Sequence, residues 1–118
     1  MPRKFNVYHI RKRRSEEFTM NGKYDGMAIG VFELDSECAC FVALDAAAKT
    51  ADVKIQSVER NRLGAGACVK MRGRISDVNA AMEAALAKAA PISKIISHTV
   101  IAAPDKGTEL AAAMTISK

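Results

Sequence analysis

Apolar and polar positions change their period several times along the chain, and each change marks an element. Met27-Ala-Ile-Gly-Val-Phe-Glu-Leu34 is rich in strand formers and ends at Asp35-Ser36, a helix-capping pair, so a strand runs into a helix over Cys38 to Ala51. Val53, Ile55 and Ser57 then alternate with Lys54, Gln56 and Val58, which predicts a strand from Asp52 to Arg60 with one drier face. A glycine-rich turn separates it from a further strand at Ala67 to Arg72, and the two read as a hairpin. Ser76-Asp77 is placed to cap a helix that carries Val78, Ala81, Met82, Ala85, Leu86 and Ala89 at helical spacing. Pro91 stops that helix before a last strand at Ile95 to Ala102.

The resulting order, β-α-β-β-α-β, is the split βαβ motif of ferredoxin-like domains. Two right-handed crossovers put both helices on one face of an antiparallel sheet, an α+β architecture. Alanines such as Ala46, Ala47, Ala48, Ala80, Ala81, Ala84 and Ala85 permit close helix packing, and the open sheet face must meet water or another protein. The core domain is expected over residues 26–104. Before it, residues 1–25 form a basic N-terminal extension with a candidate strand at Phe5 to Ile10. After it, residues 105–118 form a tail with a short helix starting near Thr108. Asn21-Gly22 and Asp25-Gly26 mark turns.

A length of 118 residues with 49% apolar content suits one domain with one core. The net charge of +5 gathers near the start, where Arg3, Lys4, Arg11, Lys12, Arg13 and Arg14 meet only Glu16 and Glu17; the remainder is nearly balanced. Neither a signal peptide nor a membrane span is legible, so the cytoplasm is the expected compartment and no membrane partner is expected. Cys38, Cys40 and Cys68 have neither disulfide-framework nor zinc-knuckle spacing. On a helix Cys38 and Cys40 diverge by about 200°, so they read as packing residues. His9 and His98 lack neighbours at triad or ligand spacing, and no catalytic constellation is present. The chain is therefore expected not to be an enzyme.

The stretch Arg60-Asn-Arg-Leu-Gly-Ala-Gly-Ala-Cys68 sets arginines against glycines. A phosphate-binding P-loop needs a lysine and a hydroxyl directly after the glycines and then a helix, whereas a strand begins here. A plain hairpin turn with Gly64 and Gly66 in positive φ accounts for the pattern without any ligand.

Across about two thirds of the chain, from Gly26 to about Pro104, the motifs resemble the bacterial microcompartment (BMC) shell-protein domain. "MAIGVFEL" is similar to its opening strand and "LDAAAKTADVKI" to its lysine-ended helix and edge strand. "RLGAG" resembles its pore loop, "VKMRGRISDVNAAMEAA" its Arg-Gly turn and second helix, and "ISHTVIAAP" its last strand in the ordinary, unpermuted order. Departures are also present. Ala103 stands where a basic residue is common, Asp105 where an aromatic or imidazole ring is often found, and the hairpin loop is about one residue longer, with Arg60 and Arg62 beside it.

The resemblance implies a single-domain structural protein whose cyclic hexamers tile into the shell of a carboxysome or metabolosome. Arg62, Leu63, Gly64, Ala65 and Gly66 would then line a central pore for small anionic metabolites. Lys49 would lie at the hexamer–hexamer edge, and the partners would be other shell proteins and encapsulated cargo enzymes. No metal or cofactor is expected from the residues themselves. Some shell proteins of this kind hold an iron–sulfur cluster at the pore, which makes Cys68 the candidate ligand for that alternative. A nucleic-acid-binding or ligand-binding α+β module is the other alternative. It is disfavoured because the strands lack paired exposed aromatics for base stacking and the basic arm carries few.

Overall fold

The computed structural model describes residues 23–62 and 64–116. The candidate strand at Phe5 to Ile10, the basic arm with His9, the Asn21-Gly22 turn and Leu63 lie outside the described residues. Gly26–Pro104 form one compact unit, and the described residues that flank it belong to a second.

Within the first unit the elements are β1 (Ala28–Leu34), α1 (Glu37–Thr50), β2 (Lys54–Arg60), β3 (Ala67–Gly73), α2 (Ile75–Ala89) and β4 (Ile95–Ile101). The strands make one antiparallel sheet in the order β2-β3-β1-β4, the split βαβ arrangement read from the sequence. Register sets the two faces. Ala28, Gly30, Phe32 and Leu34 of β1 stand opposite Gly73, Met71, Val69 and Ala67 of β3. Phe32, Leu34, Val69 and Met71 share one buried cluster with Ala39, Cys40, Ala43 and Ala47 of α1 and Val78, Ala81, Ala85 and Ala89 of α2. Burying a large apolar side chain there stabilises the fold by roughly 1.5–3 kcal/mol. The alanines on the facing helices keep that layer thin.

Two local expectations are corrected. The alternation read across Asp52 to Arg60 breaks at a bulge, because Ile55 pairs with Met71 and Ser57 with Lys70, leaving Gln56 as the extra residue. One inserted residue flips the pleat, so Val58 joins Val53 and Ile55 against the core while Ser57 moves to the other face. Ser57 Oγ there donates to Glu59 Oε2 at 2.7 Å, and Lys70 Nζ donates to the same carboxylate oxygen at 2.5 Å. The second correction concerns α2. Ser76-Asp77 do not cap it but fall inside its first turn; Arg74 holds the N-cap position without a side-chain capping bond, and its Nε donates to Asp77 Oδ2 at 2.9 Å. The acid belongs near a helix N-terminus, where the macrodipole favours it, and the helix starts two residues earlier than a cap at Ser76 would place it.

Ser36 caps α1 as expected, its Oγ accepting from the Ala39 amide at 3.1 Å. Gly26 takes φ 79°, the left-handed turn conformation that an Asp-Gly pair signals. In the second unit, α3 (Lys106–Ile116) begins two residues earlier than Thr108 because Asp105 starts it. Asp105 Oδ2 accepts from the Gly107 amide at 2.9 Å, and its carbonyl accepts from the Glu109 amide at 2.9 Å.

Candidate functional site

The β2–β3 connection is more firmly anchored than a hairpin loop needs to be. Its base is closed by the Asn61 amide, which donates to the Gly66 carbonyl at 2.8 Å, and the Asn61 Nδ2 donates to Glu33 Oε2 at 3.3 Å. On the other flank the Glu37 amide, in the first turn of α1, donates to the Ala65 carbonyl at 3.2 Å. The Glu37 carboxylate closes the same contact from its side chain, taking Arg60 Nε at 3.1 Å on Oε1 and Arg60 Nη2 at 3.4 Å on Oε2. The loop thus leans on the turn between β1 and α1, and one first-turn α1 amide, which has no acceptor within the helix, finds one there.

Gly66 is what permits this approach, for a reason other than the positive φ expected of it. Gly66 does not lie in the left-handed region; a Cβ placed on it would sit 2.0 Å from the Leu34 carbonyl oxygen. The residue must be glycine because backbone meets backbone. Gly64 is unlike it, since a Cβ there would meet only Asn61 Nδ2, at 3.9 Å.

Of the residues singled out in the sequence, Arg62, Gly64 and Ala65 are exposed in the loop and Gly66 is buried at its foot. Lys49 lies at the other end of α1, where its Nζ reaches Asp45 Oδ2 at 2.9 Å, with both side chains largely exposed. Twelve residues of helix separate it from Glu37, a distance of about 18 Å along the axis. The anchoring residues Glu33, Asn61 and Glu37 were not singled out from the sequence. Their only local signals were an acid on the outward pleat of β1 and another just after the Ser36 cap, neither of which names a partner some twenty-odd residues away.

Cys68 lies on the sheet face away from the helices, paired across strands with Glu59 and Glu33. Burial, and secondarily the Glu59 carboxylate, push its thiol pKa up. Cys40 is fully buried, its Sγ donates to the Ala67 carbonyl at 3.3 Å, and burial raises its pKa as well. Cys38 is exposed. Cys68 therefore offers one protonated thiol per chain. Among the described residues no group of three or more His, Cys, Asp or Glu side chains is placed to hold a metal ion. A cluster would need Cys68 from several copies, each giving up its proton. His98 on β4 pairs with Phe32 and is exposed.

These environments predict one fast-reacting thiol per folded chain, that of Cys38, and three after denaturation. A charged disulfide reagent near neutral pH checks this, and Cys38→Ser should abolish the fast phase. The raised thiols also fix a sign for stability. The native state keeps protons that the unfolded chain gives up, so their contribution is full below the ordinary thiol range and is lost as pH rises through the raised native values.

The family model described as the BMC domain matches residues 28–104, nearly the whole of the compact unit. The chain belongs to the BMC-domain family. A crystal structure of a microcompartment protein from Desulfitobacterium hafniense is similar to it, with a TM-score of 0.62 and 26% identity. The similarity covers 68% of this chain and 45% of that one, so this chain matches less than half of that protein's length. No curated protein matches the chain in sequence. In BMC-domain terms the anchored loop is the connection between the two strands that follow the first helix. The β-α-β-β-α-β order places it beside the N-terminus of that helix, with Lys49 at the helix's far end.

Proposed function

We propose that this chain is a tile of a bacterial microcompartment shell. It forms a cyclic hexamer in which the loop at residues 62–66 surrounds the axis, Lys49 lies at the outer edge, and small metabolites pass through the centre. The observation that carries the reading is the BMC-domain match across residues 28–104 on a four-stranded split βαβ sheet. Two features of the geometry support the finer parts. A loop at an axis must hold its shape in every copy, and this one is anchored to the β1–α1 turn by backbone and side-chain bonds. An axis and an outer edge must also be distinct places, and Ala65 and Lys49 sit at opposite ends of a 14-residue helix.

Small exposed residues at the axis leave an opening, and Arg62 there favours anions. The same reading places the protein in the cytoplasm, with other shell proteins and cargo enzymes as its partners. No helix among the described residues is long and apolar enough to cross a membrane.

Lys49→Asp tests the edge assignment. The change removes an exposed i,i+4 pair and sets two acids four residues apart near a helix C-terminus, at a cost of about 1 kcal/mol. Hexamers should therefore still form. Electron microscopy should show extended sheets for the unaltered protein and none for the variant; sheets unchanged in the variant would remove Lys49 from the edge.

A further inference from the structure

From Arg60 to Cys68 the sequence carries two arginines and no acid, so read alone the loop is doubly positive. Folding changes that sum. Glu37 arrives from α1 and takes Arg60 in a two-pronged contact, Nε to Oε1 at 3.1 Å and Nη2 to Oε2 at 3.4 Å. Glu33 arrives from β1 and accepts from Asn61, a neutral amide, so that its negative charge stays at the foot of the loop in every variant considered below. Glu59, next to Arg60 on β2, is in an ion pair with Lys70 of β3. Arg62 is exposed, and no ion pair to it is found among the described residues.

We infer that Glu37 sets how strongly the opening prefers anions, by holding Arg60 in a neutral pair and leaving Arg62 as the loop's exposed positive charge. The inference rests on the proposal that this loop lines a central passage, and adds to it the residue that tunes selectivity. A paired arginine and carboxylate act at a distance as a dipole, and beyond the screening length of about 8–10 Å their effect on a passing ion is small. An arginine released from its pair acts as a full charge. Around a cyclic axis every such change is repeated in each subunit, so removing one carboxylate adds a ring of positive charge. Selectivity at this opening therefore depends on a residue outside the loop, one that loop sequence alone does not reveal.

The test measures reversal potential under a salt gradient for assembled hexamers of wild type, Glu37→Gln, Arg60→Gln and the double variant. Oligomeric state is checked for each. Glu37→Gln should raise the anion-to-cation ratio severalfold. Arg60→Gln, which leaves Glu37 uncompensated, should lower it, and the double variant should return close to wild type. The shifts should shrink as salt rises. Intact, conducting hexamers in which the two single changes shift the ratio in the same direction, or not at all, overturn the inference, as does a double variant that fails to compensate. Should Glu37→Gln not assemble, the swapped pair Glu37→Arg with Arg60→Glu keeps the same charge sum and should match wild type; a large shift there overturns it equally. Wild-type hexamers that do not conduct contradict the passage itself, a result distinct from conduction with unaltered selectivity.

Discussion

Gly66→Ala should be among the most damaging single substitutions in the chain, with a stability loss on the order of 3 kcal/mol. Its Cβ would lie 2.0 Å from the Leu34 carbonyl oxygen and 3.0 Å from the Leu34 carbonyl carbon, and neither atom can turn aside as a side-chain tip can. Leu34 is held by its pairing with Ala67 and by complete burial, so the loop must move instead. Movement breaks the Asn61-to-Gly66 and Glu37-to-Ala65 backbone bonds, each worth about 1 kcal/mol, before any strain is counted. Gly64→Ala, two residues away, is the internal control, since the added methyl meets only Asn61 Nδ2 at 3.9 Å. Urea titration of both variants should show a large fall in midpoint for Gly66→Ala and a small change for Gly64→Ala. Equal effects would mean that the loop does not rest on β1 as described.

Ala65→Glu should have the largest effect on function. Ala65 is exposed, and it meets α1 through its backbone carbonyl, so the side chain can be changed without breaking that contact. In a hexamer the change writes a ring of carboxylates around the axis. Two charges about 10 Å apart in water repel by about 0.4 kcal/mol, and a ring repeats this between every neighbouring pair. The variant should reverse any preference for anions and weaken the ring, most visibly at low salt. Ala65→Leu should narrow the opening and reduce flux without changing the sign of the preference. Intact hexamers whose flux and ion preference ignore both substitutions would show that the loop does not line a passage. In that case both changes would be ordinary surface substitutions, within about 0.5 kcal/mol in stability.

Much of the fold was legible because it depends on periodicity. Phe32 and Leu34, or Val78, Ala81 and Ala85, repeat at the spacing of the element that buries them. What escaped was whatever depends on a partner distant in sequence. The Gln56 bulge leaves the local composition unremarkable and shows only when Ile55 and Ser57 find adjacent residues of β3. The start of α2 was misplaced because Ser76-Asp77 looks like a cap in isolation, while the chain already turns helical after Arg74. In the candidate site the glycines and arginines of the loop were visible, but not why they are there. Gly66 was read as a matter of φ, whereas its constraint is the Leu34 carbonyl, thirty-odd residues earlier in the chain. Arg60 was visible as a basic residue beside the loop, but its partner Glu37 lies 23 residues away. Local pattern finds elements; the acids that neutralise a loop are found only after folding.

The central claim, that this BMC-domain chain works as a cyclic shell tile, is tested most directly by its mass in solution. Size-exclusion chromatography with light scattering should give a particle of six times the 12.7 kDa chain, or sheets built from such particles, stable on dilution. A folded protein that stays monomeric or dimeric at every concentration would contradict it.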